Sequence, residues 1–231
     1  MAKKPCLVLD LDGTLVDTLD DISHSVNTVL KQYGLQGHSN DSYRRMVGRG
    51  MKNLLIAAIG VPPLSDERFE EALAQFLEIY KQDPVGRSVL YPGVYEGLFR
   101  VLPEFDLVVL SNKEHTMTQF VVKTLLPQVP FCAIYGAIEG QPLKPDPRAL
   151  TSILDRYGYD ISKTLYLGDS DVDMETAKGA GVRACGASWG FRGKEELIAA
   201  GADYTFDSPF DFFEFALNTA KSKFEKLVHK N

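Results

Sequence analysis

Cysteine is scarce in this chain: Cys6, Cys132 and Cys185 are the only three in 231 residues, and they lie far apart. They form neither a metal-ligand spacing nor a disulfide framework, which points to a reducing, cytoplasmic setting. Long apolar runs are also missing; none approaches the ~20 residues that a membrane span requires. The basic start, Met1 to Pro5, leads into an apolar run that ends at Asp10, too short for a signal peptide. Nor is there a basic excess. Net charge is −6 with the cationic residues scattered, so no nucleic-acid footprint is expected. The four histidines (His24, His38, His115 and His229) show no metal spacing and read as surface residues. Repeats and low-complexity segments are absent too. What remains is a chain that is 45% hydrophobic, enough for one large domain or for a core with a smaller companion.

The pattern of apolar residues divides the chain into two styles. From 17 to 82 it reads as almost entirely helical. Leu19, Ile22, Val26, Val29, Leu30 and Tyr33 keep helical spacing and stop at Gly34. Phe69, Ala72, Leu73, Phe76, Leu77 and Tyr80 do the same behind an expected N-cap at Ser65. Shorter helices fit 41–47 and 51–59, joined through Gly48 to Gly50. From about 89 onward, short apolar runs at 106–111, 132–137, 164–170, 182–187 and 203–206 alternate with helical stretches. These stretches fall near 94–102, 115–126, 146–157, 172–179 and 194–200, and a long terminal helix is expected over 209–228, with Phe212, Phe213, Phe215, Leu217, Phe224 and Leu227 as its packing face. Alternation of this kind implies parallel β-α-β units in a doubly wound sheet. The opening strand around Leu7 to Leu9 belongs with that second half, so the helical block is an insertion. The expected architecture is α/β, a Rossmann-like core of residues 1–15 and 88–231 with a helical cap of residues 16–87.

Ligands of open α/β sheets bind beyond the carboxyl ends of the strands. Asp10, Asp12, Gly13 and Thr14 follow the first apolar run; Ser111, Asn112 and Lys113 follow "DLVVL"; Asp169, Ser170, Asp171 and Asp173 follow "TLYLG". Lys144 stands before a helix announced by Pro145 and Pro147. Each has a plain structural alternative. Asp10 suits the cap of a turn, since Asp followed by Gly, here Asp12 and Gly13, is a common turn signal, and Asp169, Ser111 or Asn112 suits a helix cap. Together the plain alternatives fail, because several unpaired carboxylates at one buried edge cost several kcal/mol. A hard cation relieves that cost, and Mg²⁺ takes one or two carboxylates plus substrate phosphate.

These segments resemble the motifs of the haloacid dehalogenase-like hydrolase superfamily: "DLDGTLVDT" its first, "LSN" its second, Lys144 its third and "GDSDVD" its fourth. Three further stretches, "KPDPRAL", "GDSDVDMETAKGAGV" and "WGFRGKEELIAAGADYTFDSP", are similar to the phosphoglycolate phosphatase group. The resemblance implies a Mg²⁺-dependent phosphomonoester hydrolase in which Asp10 is the nucleophile and forms an aspartyl-phosphate. Asp12 protonates the leaving alcohol and then accepts a proton from water. Metal ligands are Asp10, Asp169 and the backbone carbonyl of Asp12, with Ser170 and Asp173 behind them. Lys144, Ser111, Asn112 and backbone groups around Gly13 and Thr14 hold the phosphoryl oxygens.

The helical block is expected to lower residues onto the leaving group. Arg45, Arg49 and Lys52 are candidates, and Arg49, between two glycines, is the first choice for a substrate carboxylate. The partner expected is a small phosphorylated metabolite, for a monomer or homodimer. Rival readings are a sugar-phosphate phosphatase or mutase, a pyrophosphatase or nucleotidase, and a silent interaction protein on the same fold. A mutase of this superfamily usually carries a histidine twelve residues after the nucleophile, where this chain has Ile22. Trp189 and Phe191 are expected to cover an edge of the site or core.

Overall fold

A computed structural model describes residues 3–60 and 64–222 of the chain. Six parallel strands make the main sheet: β1 (Cys6–Leu9), β4 (Asp106–Glu114), β5 (Ala133–Ala137), β6 (Thr164–Gly168), β7 (Arg183–Ala187) and β8 (Tyr204–Phe206), in the order β5-β4-β1-β6-β7-β8. The first strand therefore lies in the interior of the sheet. Leu9 is in register with Val109 on one side and Leu167 on the other. Strand order reverses there, which opens a crevice at the carboxyl end of β1.

Alternate residues of each strand point to opposite faces. Leu7, Leu9, Leu107, Val109, Leu165 and Leu167 enter one core with helices α5 (Val94–Val101), α6 (His115–Leu125) and α10 (Pro209–Lys221). Cys6, Val8, Val108, Leu110 and Tyr166 enter the other, with α7 (Arg148–Tyr157), α8 (Asp171–Gly179) and α9 (Lys194–Ala199). Both faces are covered, which is why the strands read as unbroken apolar runs. Phe212, Phe213 and Leu217 pack as expected; Phe224, Leu227, His229 and the end of the expected terminal helix lie outside the described residues. Extended structure in β4 continues past the apolar run through Asn112 and Lys113, because the pairing with β5 shifts register between Leu110 and Glu114.

Between β1 and β4 the chain forms α1 (Leu19–Gln32), α2 (Asn40–Met46), α3 (Met51–Ile59) and α4 (Asp66–Gln82). They share a hydrophobic cluster built on Ile22, Val26, Leu54, Leu55, Phe76 and Tyr80. Ser65 occupies the N-cap of α4 with extended backbone, but its side chain makes no capping hydrogen bond. One buried member of the cluster, Phe191, comes from the loop between β7 and α9. The two crossings between block and sheet run side by side, with β2 (Val16–Asp17) antiparallel to β3 (Val89–Leu90). Asp21, fully buried in α1, anchors the return crossing: its carboxylate accepts the Arg87 N–H at 3.0 Å and the Ser88 hydroxyl at 2.6 Å.

Candidate active site

The buried end of β1 carries Asp10, whose N–H still bonds Leu167 O at 2.9 Å as if the strand continued. Its Oδ1 accepts a hydrogen bond from Lys144 Nζ at 2.7 Å, and the same ammonium meets Asp173 Oδ1 on α8 at 2.6 Å. Asp169 ends β6 and is held by the Phe191 N–H, 2.7 Å from its Oδ2. Asp10, Asp169 and Asp173 each place a carboxylate oxygen within 4.8 Å of the others. Three buried carboxylates thus face one ammonium. Burial, then the charge of Asp173, pushes Asp10 up to about 7, against the opposing pull of Lys144. Burial together with Asp173 and Asp10 raises Asp169 well above the carboxylate range. Burial pulls Lys144 down, but its carboxylate partners outweigh it and hold the ammonium protonated.

Excess negative charge among hard oxygen donors suits a hard divalent cation. The two Asp173 oxygens already accept from Lys144, Tyr166 and Ser170, the last through both its N–H and its hydroxyl. Asp10 and Asp169 are therefore the carboxylates with capacity to ligate, and Asp173 is a support for Lys144 and for the start of α8.

Asp12 sits two residues on, half-buried. Its Oδ1 accepts from Thr18 Oγ1 at 2.7 Å, and Lys113 Nζ bridges both carboxylate oxygens at 2.7 and 2.9 Å. Burial alone would lower the Lys113 ammonium; the Asp12 carboxylate more than reverses that and lifts it above the ordinary lysine range. The ammonium also lies 5.0 Å from the centre of the Tyr80 ring on α4, so one lysine ties Asp12 to the helical block. Sequence reading gave neither Lys113 nor Thr18 a role. A lysine directly beyond a strand end, facing a strand that ends in two aspartates, was the available signal.

Gly13 turns the chain at φ +84°, and a β-carbon there would stand 2.2 Å from Asp169 Oδ2, so only glycine brings the two loops together. Its N–H is bonded to Val16 O. Thr14 is fully buried with Oγ1 3.5 Å from Asp169 Oδ1, and its carbonyl accepts the Trp189 indole N–H at 3.0 Å. Thr14 thus faces the Asp169 loop, and Trp189 does cover this edge.

A cavity opens above these groups, lined from below by Asp10, Asp12, Ser111, Lys113, Lys144 and Asp169, and from the block by Ile22, Val47, Met51 and Leu54. Asn112 also lines it, but its amide is engaged: Oδ1 accepts Lys144 N–H at 2.9 Å, and Nδ2 donates to Lys144 O and Gly48 O. That side chain positions the Lys144 loop. The block's cations are placed differently from expectation. Arg49 lies 2.5 Å from Asp171 Oδ2 at the rim, Lys52 pairs with Glu70 at 2.9 Å, and neither they nor Arg45 line the cavity. The charges of Arg49 and Lys52 are already answered on the surface. Two histidines are also less exposed than expected: His38 bonds Ala58 O, and His115 Nδ1 accepts the Gly136 N–H.

The family model for haloacid dehalogenase-like hydrolases matches residues 7–187. The phosphoglycolate phosphatase of Caulobacter vibrioides is 33% identical over 209 residues, 89% of this chain and 87% of that protein. The one from Mesorhizobium japonicum is 32% identical over 191 residues, 81% and 84% of the two chains. The crystal structure of a predicted phosphoglycolate phosphatase from Haemophilus somnus superposes with a TM-score of 0.86 at 26% identity, covering 93% of this chain and 99% of that one. A predicted phosphatase from Clostridium acetobutylicum, at 22% identity and a TM-score of 0.83 over 94% of this chain and 100% of its own, is alike in fold.

Proposed function

The chain belongs to the haloacid dehalogenase-like hydrolases, and on that footing we propose that it is a Mg²⁺-dependent phosphomonoester hydrolase acting on phosphoglycolate or a similar small organic phosphate. One observation carries the reading: a buried aspartate at the end of an interior strand, with a lysine and a second aspartate around it, faces a cavity.

In this reading Asp10 attacks phosphorus in line and becomes an aspartyl-phosphate, while the leaving alkoxide takes the proton of Asp12. Water then returns a proton to Asp12 as it attacks the phosphoryl group, which frees phosphate and restores Asp10. Lys144 holds Asp10 in place and faces the phosphoryl oxygens together with Ser111. Lys113 and Thr18 fix the direction of the Asp12 carboxylate. Asp10, Asp169 and the backbone carbonyl of Asp12 would hold Mg²⁺, which would supply compensating positive charge for the phosphoryl group. Residues 16–87 serve as the cap over a core of residues 1–15 and 88–231, closing the cavity with Ile22, Val47, Met51 and Leu54. Ile22 brings no proton carrier into that wall, which argues against a mutase.

Support for the substrate class comes from the relatives, which are phosphoglycolate phosphatases. Phosphate release should be measured with Mg²⁺ and with EDTA over 2-phosphoglycolate, hexose phosphates, nucleotides and pyrophosphate, with Asp10→Asn alongside. Mg²⁺-dependent release led by 2-phosphoglycolate and lost in Asp10→Asn is the expected result. Full activity of the variant would overturn the nucleophile, and no release from any substrate would overturn the reading.

A further inference from the structure

Arg192 follows Phe191 in the loop between β7 and α9, and its side chain is one-tenth exposed. Three parts of its guanidinium have different surroundings. Nε meets Glu196 Oε1 at 2.9 Å, and Nη2 donates to the carbonyls of Arg45 and Val47 at 3.0 and 3.1 Å, at the C-terminus of α2. Nη1 is buried and has no hydrogen-bond partner, while the residue lines the cavity. An unpartnered buried donor of this kind costs about 1–3 kcal/mol, more when charged.

Other cations of the cavity and its rim are engaged with carboxylates: Lys144 with Asp10 and Asp173, Lys113 with Asp12, Arg49 with Asp171. The block side of the cavity offers apolar side chains, and the Asn112 amide is occupied. Among the described residues that line the cavity, Arg192 thus holds a cationic donor group with no partner of its own.

We propose that Arg192 Nη1 receives a carboxylate on the leaving-group side of the substrate, which makes Arg192 the specificity-determining residue for phosphomonoesters of short hydroxy acids. The inference rests on the phosphatase reading above. Because Nη2 of the same planar group holds the end of α2, a bound carboxylate also stiffens the contact that keeps the block over the cavity. Phe191, embedded in the block's own cluster, fixes the loop from which Arg192 reaches.

The experiment compares kcat/KM for 2-phosphoglycolate and for ethyl phosphate, its counterpart without the carboxylate, in the wild-type chain, Arg192→Met and Arg192→Lys. Arg192→Met should lower the ratio of the two kcat/KM values by about 30-fold or more, chiefly through KM for 2-phosphoglycolate, as expected when a buried charge pair loses one partner. Arg192→Lys should recover part of the ratio. A loss of α2 anchoring alone would reduce both substrates alike, so an unchanged ratio would overturn the proposal. Should Arg192→Met fail to fold, inhibition of the wild type by glycolate and by glycolamide decides the matter: clearly tighter glycolate supports it, and equal inhibition overturns it. Hydrolysis of ethyl phosphate without preference for 2-phosphoglycolate in the wild type refutes this assignment alone. Hydrolysis of neither refutes the phosphatase reading with it.

Discussion

Chelating divalent cations should leave this chain weakest at the pH where its site carboxylates ionise, and replacing Asp10 should cure the weakness. Asp10 has an ordinary value of 3.8 and is pushed up to about 7 by burial and by Asp173. Between those values the folded chain keeps a proton that the unfolded chain has released. A group whose pKa rises on folding in this sense makes stability fall as pH rises through the window, and the two states agree below it. The span of about 3 units, at ~1.4 kcal/mol each, sets an upper bound of about 4 kcal/mol. Asp10→Asn cannot ionise. In EDTA at pH 8 it should therefore be the more stable protein by up to that amount, and the advantage should vanish below about pH 4. At roughly 2–4 °C per kcal/mol for a chain of this size, the melting points should differ by on the order of 10 °C. Saturating Mg²⁺ should close that gap, since ~1,000-fold excess over Kd contributes about 4 kcal/mol to the wild type. Differential scanning calorimetry at several pH values, with EDTA and with Mg²⁺, reads all of this. Wild type and variant melting together in EDTA at pH 8 would refute the account of the buried carboxylates.

Three other substitutions probe separate parts of the structure. Gly13→Ala should abolish phosphate release and lower the melting point, because its β-carbon would stand 2.2 Å from Asp169 Oδ2 at a φ of +84°; retention of activity would show that the Asp169 loop is slack. Lys113→Met, which frees Asp12 on one side, should lower kcat by about 10- to 100-fold while KM changes little; steady-state kinetics on 2-phosphoglycolate checks the split. Asp21→Ala strips the Arg87 N–H and Ser88 hydroxyl of their acceptor and should cost about 1–3 kcal/mol in urea unfolding.

What could be read from the sequence depended on how far apart the interacting residues lie. The strands were legible because both sheet faces are covered, so each strand appears as an apolar run with its chemistry stacked at one end. Asp10, Asp12 and Asp169 were legible for the same reason, since each follows such a run, whereas Lys144 was marked by the prolines before α7. Arg49 was misplaced as a substrate contact because its flanking glycines are visible locally, whereas its partner Asp171 is 122 positions away. Lys113, though placed at its strand end, and Arg192 were given no role on similar grounds. A lysine after a strand and an arginine before a helix resemble any surface cation until the fold supplies Asp12 to one and the end of α2 to the other. Asp21 carried no sequence signal at all, because what buries it is the returning chain at Arg87 and Ser88.

The interior position of β1 also governs when the protein becomes competent during its synthesis. Cys6 to Leu9 pair with residues 106–109 and 164–167 of 231, so the first strand must wait for nearly three-quarters of the chain to be made before both its neighbours exist. Contacts this distant in sequence are slow to form, whereas the helical block between them has mostly local ones and is complete much earlier. Asp10 meets Lys144 only when that long closure is finished. A chain released early, or stalled before residue 164, therefore carries Asp10 on an unsealed strand without Asp169 and Asp173 beside it.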